Sequence, residues 1–254
     1  MPFVDRIVHR FVHRARRGEE GRPRAEIGHG HHGGGHGRGH GQGADGGGQV
    51  GRDPARHSSA DHEASGEGRF AGEHAERYDR RSRSKARFYR RTARDVVAVT
   101  PPDGHVLDVG TGPGRLLVEI ARARPDVRVT GVDVEPDMVR LAEHAARDEG
   151  LASRVRTEVA DVATLPLEAA SVDVVVATLT AHHWPEVDAA VHELARVLRP
   201  GGVLLVVDFR SAVDRPLRES VAAAMPGATV RRSIRWAWGL PALSTWVVRL
   251  PPVA

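Results

Sequence analysis

The sequence predicts an α/β fold: a doubly wound, mostly parallel sheet of seven strands, closed by an antiparallel hairpin and preceded by a disordered N-terminal extension. Three observations carry this reading. From residue 105 onward, short β-branched runs alternate with segments of helical period, the signature of repeated strand–helix units. The run "VDVVVAT" (172–178) is apolar nearly throughout after its Asp, as a strand covered on both faces must be. Residues 106–121, "VLDVGTGPGRLLVEIA", read as a strand, a glycine turn and the start of a helix. Right-handed crossovers put such a turn at the carboxyl ends of the strands, where open α/β sheets hold their ligands.

The elements follow in chain order. Residues 1–17, "MPFVDRIVHRFVHRARR", set Val4, Ile7, Val8, Phe11, Val12 and Ala15 at helical spacing with Arg and His opposite. This predicts an amphipathic basic helix, suited either to weak contact with a membrane surface or to packing on the main domain. Residues 18–68 predict a disordered linker. Their Gly/His-rich stretch "GHGHHGGGHGRGHGQGADGGG" has no apolar period to offset the entropy of ordering. Its histidines stand among glycines that impose no geometry, so a solvated linker is expected rather than a metal site. The main domain is expected over 70–254. Residues 72–99 predict one or two helices ending before Pro101 and Pro102, since the residue before a proline avoids helical backbone. Strands are expected at 105–109, 127–133, 154–159, 172–178 and 202–208. Helices are expected at 114–123, 136–149, 188–199 and about 214–224. After 226, two extended segments flank Gly239 and Pro241 and predict the hairpin.

Composition narrows the function. The 254 residues hold no cysteine, which excludes disulfides, a thiolate nucleophile and a cysteine metal site. No apolar run approaches the roughly 18 residues of a spanning helix, and residues 1–25 lack the apolar core of a signal peptide; the expected address is cytoplasmic. The net charge of +4 is uneven, because residues 1–100 carry 20 basic against 13 acidic side chains. Lys85 is the sole lysine, so the arginines read as codon bias of a GC-rich genome rather than as phosphate contacts. No specific nucleic-acid partner is expected.

The glycine turn is compared with known phosphate-binding patterns. A P-loop needs G-x-x-x-x-G-K-[ST], but the sixth position from Gly110 is Arg115 and no Lys follows. A dinucleotide turn needs G-x-G-x-x-G/A, but the last position is Arg115 counted from Gly110 and Leu117 counted from Gly112. What remains is D-x-G-x-G-x-G, from Asp108 to Gly114. A carboxylate ahead of the turn repels an anion and tolerates a ligand with a cationic amino acid end.

At this point the chain resembles the class I S-adenosylmethionine-dependent methyltransferases, in their small-molecule branch. "VLDVGTGPGRLLVEIA" is similar to the family's first motif, "VTGVDVEPDMVRLA" (129–142) to the second and "VADVATLPL" (159–167) to the third. "SVDVVVATLTAHHW" (171–184) and "AVHELARVLRPGGVLLVVDF" (190–209) resemble the fourth- and fifth-strand segments. The resemblance spans about 70–250 and implies a Rossmann-like methyltransferase fold with S-adenosyl-L-methionine as cofactor.

It implies that Gly110, Thr111, Gly112 and Gly114 form the cofactor turn and that Asp108 faces the cofactor's ammonium. Asp133, 23 positions after Gly110, would accept the ribose hydroxyls, although it reads also as a helix N-cap. Asp161 would accept the adenine amine and the Val162 N–H would address a ring nitrogen; Asp161 reads equally as a turn residue. Val134 and Met138 stand near the adenine or in the core. The Thr178 carbonyl would reach the ammonium, and Tyr78 would cover the cofactor or sit between helices.

The implied function is methyl transfer to a small-molecule acceptor, achieved mainly by binding and in-line alignment. A base is needed only if the acceptor loses a proton, and His182 and His183, after the fourth strand, are the catalytic candidates. Trp236, Trp238 and Trp246 read either as an apolar acceptor pocket or as core. Two other classes remain open: a cofactor-binding regulatory protein without catalysis, and a nucleic-acid methyltransferase drawn to phosphate by the basic stretch 77–94. Against the latter, "ATLTAHH" stands where an amide-base methyltransferase motif of the Asn/Asp-Pro-Pro-Tyr/Phe type would lie.

Overall fold

The computed structural model describes residues 72–237 and 240–252. The expected helix at 1–17, the linker at 18–68 and Trp238 lie outside the described residues. Two helices open the fold, α1 (Glu73–Arg83) and α2 (Ala86–Val97). Helix α2 buries Tyr89, Thr92, Ala93 and Val96, a spacing of three and four residues that lines one face. It stops ahead of the Pro101–Pro102 pair, where the Thr100 hydroxyl donates to the Val96 carbonyl at 2.8 Å. Then follow β1 (His105–Val109), α3 (Arg115–Ala123), β2 (Arg128–Asp133), α4 (Pro136–Asp148), β3 (Val155–Val159) and β4 (Val172–Thr178). A short 3₁₀ turn (Ala181–His183) leads to α5 (Val187–Val197), β5 (Leu198–Phe209), α6 (Arg210–Ala224), β6 (Thr229–Ala237) and β7 (Leu240–Arg249).

The seven strands form one sheet in the order β3-β2-β1-β4-β5-β7-β6. β1 to β5 pair in parallel, and β7 runs antiparallel between β5 and β6. The expected sheet and closing hairpin are both present. Two boundaries move. Strand β5 starts at Leu198, because the "RPGG" turn stays extended and Leu198 pairs with Val172 ahead of a register shift. Helix α6 begins at Arg210, directly after β5, and carries Pro216 inside it.

Two apolar layers cover the sheet. Leu194, Val197, Leu217 and Val221 from α5 and α6 pack on one face. Tyr89, Val96, Leu117 and Ile120 from α2 and α3 pack on the other. All of β4 from Val174 to Ala177 is buried, which accounts for its continuous apolar sequence. The crossovers change face between β1 and β4, so the carboxyl ends of these two strands open onto a shared crevice. Among the described residues no helix is long and apolar enough to cross a membrane.

Candidate functional site

The turn after β1 delivers Gly110, Gly112 and Gly114, all at positive φ (63°, 53° and 73°). Their surroundings differ. A Cβ on Gly110 would fall inside the Thr180 side chain, and one on Gly114 would meet the Ala142 backbone at 2.9 Å. A Cβ on Gly112 would meet only Tyr78 Cε1, at 3.7 Å. Packing therefore requires the outer two glycines. Gly112 borders open space beneath an aromatic ring, the close backbone approach a ligand uses.

Carboxylates flank that space. Asp108 is fully buried, and its Oδ2 accepts the Thr111 hydroxyl at 2.8 Å. Burial pushes its carboxyl up to about 7, against the Thr111 hydrogen bond and with help from the Asp133 charge. A buried acid with one hydroxyl donor and no cation is poorly stabilised in its ionised form. A positive ligand group would supply what is missing. Asp133 ends β2; its Oδ2 accepts the Gly112 N–H at 2.8 Å and its Oδ1 the Glu135 N–H at 3.1 Å. Burial raises this carboxyl as well. Each oxygen has a lone pair left for a hydroxyl donor. Asp133 is not the N-cap of α4, because Glu135 holds that position.

Tyr78 closes the space from α1. Its hydroxyl is hydrogen-bonded to that of Tyr89; burial raises both hydroxyls, and the Asp133 and Asp208 charges add to the rise at Tyr78. Tyr78 therefore lies within electrostatic reach of both the β2 end and the β5 end of the sheet. Helix α1 is fastened on two sides: Arg115 of α3 pairs with Asp79 and reaches Ser82 Oγ at 3.3 Å, and the Gly72 N–H donates to Asp137 at 2.6 Å.

The remaining candidates are more scattered. Asp161 follows β3 two residues past Val159, the register partner of Asp133. It is exposed, and its Oδ1 accepts the Ala163 N–H at 2.9 Å in a turn. Val162 and Met138 are buried, whereas Val134 is 64% exposed. Thr178 is buried, and its hydroxyl has no hydrogen-bond partner among the described residues. Trp246 is core, its Nε1 donating to Asp214 at 2.9 Å, while Trp236 is 73% exposed, so these two tryptophans do not line one pocket.

On the β4 side, Leu179 takes φ 55°. This is left-handed backbone that costs a leucine roughly 1–3 kcal/mol. The sharp turn presses Thr180 against Gly110 and brings His182 to Asp208. Asp208 is 0% exposed. Its Oδ2 accepts the His182 N–H at 3.1 Å, and its Oδ1 accepts the Phe209 N–H at 2.7 Å and lies 2.7 Å from His182 Nδ1. His183 is exposed, its ring centroid 3.9 Å from that of His182. Asp208 was missed in the sequence, although an aspartate ending the apolar run "GGVLLVVDF" is itself a signal, since a buried acid needs partners. Among the described residues no cluster of His, Asp or Glu could hold a metal ion.

A doubly wound sheet with a cationic-ligand turn at its switch point defines a nucleoside-cofactor protein of the Rossmann-like class. Residues 106–202 match the methyltransferase domain family. The chain is 40% identical to the 27-O-demethylrifamycin SV methyltransferase of Amycolatopsis mediterranei, over 41% of this chain and 38% of that protein. It is 34% identical to the demethylmenaquinone methyltransferase of Porphyromonas gingivalis, over 45% and 47% respectively. It thus spans less than half the length of these relatives. The fold matches a SAM-dependent methyltransferase from Aquifex aeolicus with a TM-score of 0.52 at 22% identity, over 62% of this chain and 88% of that one. The chain belongs to the class I S-adenosylmethionine-dependent methyltransferases, and S-adenosylmethionine is its cofactor.

Proposed function

We propose that the protein transfers a methyl group from S-adenosylmethionine to a small-molecule acceptor, and that residues 70–254 carry this activity. The observation behind the reading is the open face of Gly112, bounded by Tyr78, Asp108 and Asp133. Asp108 faces the amino acid end of the cofactor, with the carbonyl of Thr178 as a second acceptor. Asp133 takes the ribose hydroxyls. Gly110, Thr111, Gly112 and Gly114 bring the backbone against the ligand. Val134, Met138, Asp161 and Val162 hold the adenine, and Tyr78 covers the cofactor from α1.

When bound, the cofactor supplies a methyl already activated on a sulfonium, with a neutral thioether as leaving group. The protein's contribution is alignment and exclusion of water. The names of the relatives support a small-molecule acceptor, since one acts on a rifamycin and the other on demethylmenaquinone.

Calorimetry with S-adenosylmethionine and with NAD tests the cofactor, and tighter NAD binding would refute it. Transfer of a labelled methyl into a metabolite extract, followed by product mass, tests the activity.

A further inference from the structure

We propose that the acceptor group is an alcohol or phenol hydroxyl, that His182 is its catalytic base, and that Asp208 is the positioning residue that keeps His182 in the basic tautomer. This rests on the methyl-transfer reading above and adds the acceptor chemistry that the cofactor site leaves open.

The argument starts from hydrogen-bond bookkeeping at Asp208. Three nitrogens converge on its two oxygens: the His182 N–H, the Phe209 N–H and His182 Nδ1. The two backbone groups can only donate, so the carboxylate is held as an acceptor on both oxygens. Nδ1, at 2.7 Å, must therefore carry a proton toward it. A neutral imidazole protonated on Nδ1 leaves a lone pair on Nε2. Among the described residues Nε2 has no hydrogen-bond partner. The Phe209 ring stands edge-on to the imidazole, 5.0 Å between centroids at 82°, and with the Asp208 bond it fixes the ring plane. Only 13% of the His182 side chain remains exposed.

The pair sits where a methyl acceptor must stand. His182 follows β4 and Asp208 ends β5, at the carboxyl edge that also carries the cofactor turn. Thr180, two residues before His182, packs directly on Gly110 of that turn. A protein that needed only alignment has no use for a clamped imidazole with a free lone pair there. In the step, the hydroxyl proton passes to Nε2 as the oxygen forms its bond to the methyl carbon. The carbon–sulfur pair returns to sulfur, and the imidazolium then loses its proton to water. One base suffices for oxygen. A ring-carbon acceptor would have to lose a C–H proton as well, and the site offers no second clamped base.

The test uses the full chain, S-[methyl-13C]adenosylmethionine and three probes: 4-methylphenol, the more acidic 4-nitrophenol, and 1,4-dihydroxynaphthalene, which offers both oxygen and ring carbon. The expected product carries its label as a methoxy carbon. At a pH where only 4-nitrophenol is ionised, His182→Ala should lose about 100-fold more rate with 4-methylphenol than with 4-nitrophenol. Asp208→Asn keeps the shape and one acceptor oxygen but turns an amide donor toward Nδ1. Long-range 1H–15N spectra should then show the proton on Nδ1 in the wild type and on Nε2 in the variant.

A ring-methyl product, equal losses with the two phenols, or a wild-type proton on Nε2 overturns the proposal. So does a protein that binds S-adenosylmethionine but methylates none of the three probes. Failure to bind S-adenosylmethionine would instead overturn the functional reading on which it rests.

Discussion

Asp108 near the end of β1 and Asp208 near the end of β5 are both buried acids on one sheet, yet the chain treats them in opposite ways. Asp208 receives two backbone N–H groups and an imidazole nitrogen. Asp108 receives one hydroxyl, and burial lifts its carboxyl to about 7. A saturated acid is part of the framework, whereas an under-supplied one is waiting for a charge from outside. The difference separates the group that orients a side chain from the group proposed to meet the cofactor.

The sharpest way to break this contrast is to delete each acid. Asp208→Ala orphans three donors, and at about 1 kcal/mol or more for each unmet group the loss should be about 3 kcal/mol in urea unfolding. Asp108→Asn should cost almost nothing at neutral pH, because it removes an acid that is already destabilised there. Equal losses would mean that the donor count does not decide the roles.

Next in size is cofactor affinity. Asp133→Ala removes an acceptor worth about 1.5–3 kcal/mol per charged hydrogen bond, so calorimetry should show at least a tenfold loss with the fold intact. Unchanged affinity in a folded variant would move the ribose contact elsewhere.

A smaller effect follows from pH. With the folded pKa of Asp108 raised, the folded state binds more protons than the unfolded state between the ordinary carboxylate range and about 7. Its contribution to stability is complete below that range and is lost as pH rises through about 7. Affinity for the cationic cofactor should move the other way, rising across the same interval. Both slopes should flatten in Asp108→Asn; a slope that survives belongs to another group.

The smallest effect expected is that of truncation. A chain starting at Phe70 keeps Tyr78, Asp108, Asp133 and the whole sheet, so its affinity for S-adenosylmethionine should stay within about tenfold, or 1.4 kcal/mol. A larger loss would place the preceding segment over the cofactor.

The sheet was legible in the sequence because strand and helix periods differ and because β4 is buried on both faces. Strands β1 and β4 lie where the pattern put them. The extra length of β5 was not legible, since its pairing with β4 across "RPGG" depends on a neighbour rather than on local propensity. The glycine turn was legible as a ligand turn, but not which glycine faces open space, because Gly110 and Gly114 are decided by Thr180 and Ala142, distant in sequence. Likewise, His182 stood out by residue type and position, whereas its distinction from His183 lies in Asp208, 26 residues away.

The contact of Thr180 with Gly110 also sets a spacing. The loop that handles the methyl donor and the loop that carries His182 touch through one side chain with no room for a further carbon. They therefore act as a ruler of fixed length between donor and base. Changes in what the enzyme accepts must then come from parts outside the ruler, such as the faces of α1 and the β6–β7 hairpin. A family built this way can exchange acceptors by altering its walls while the reaction distance stays constant.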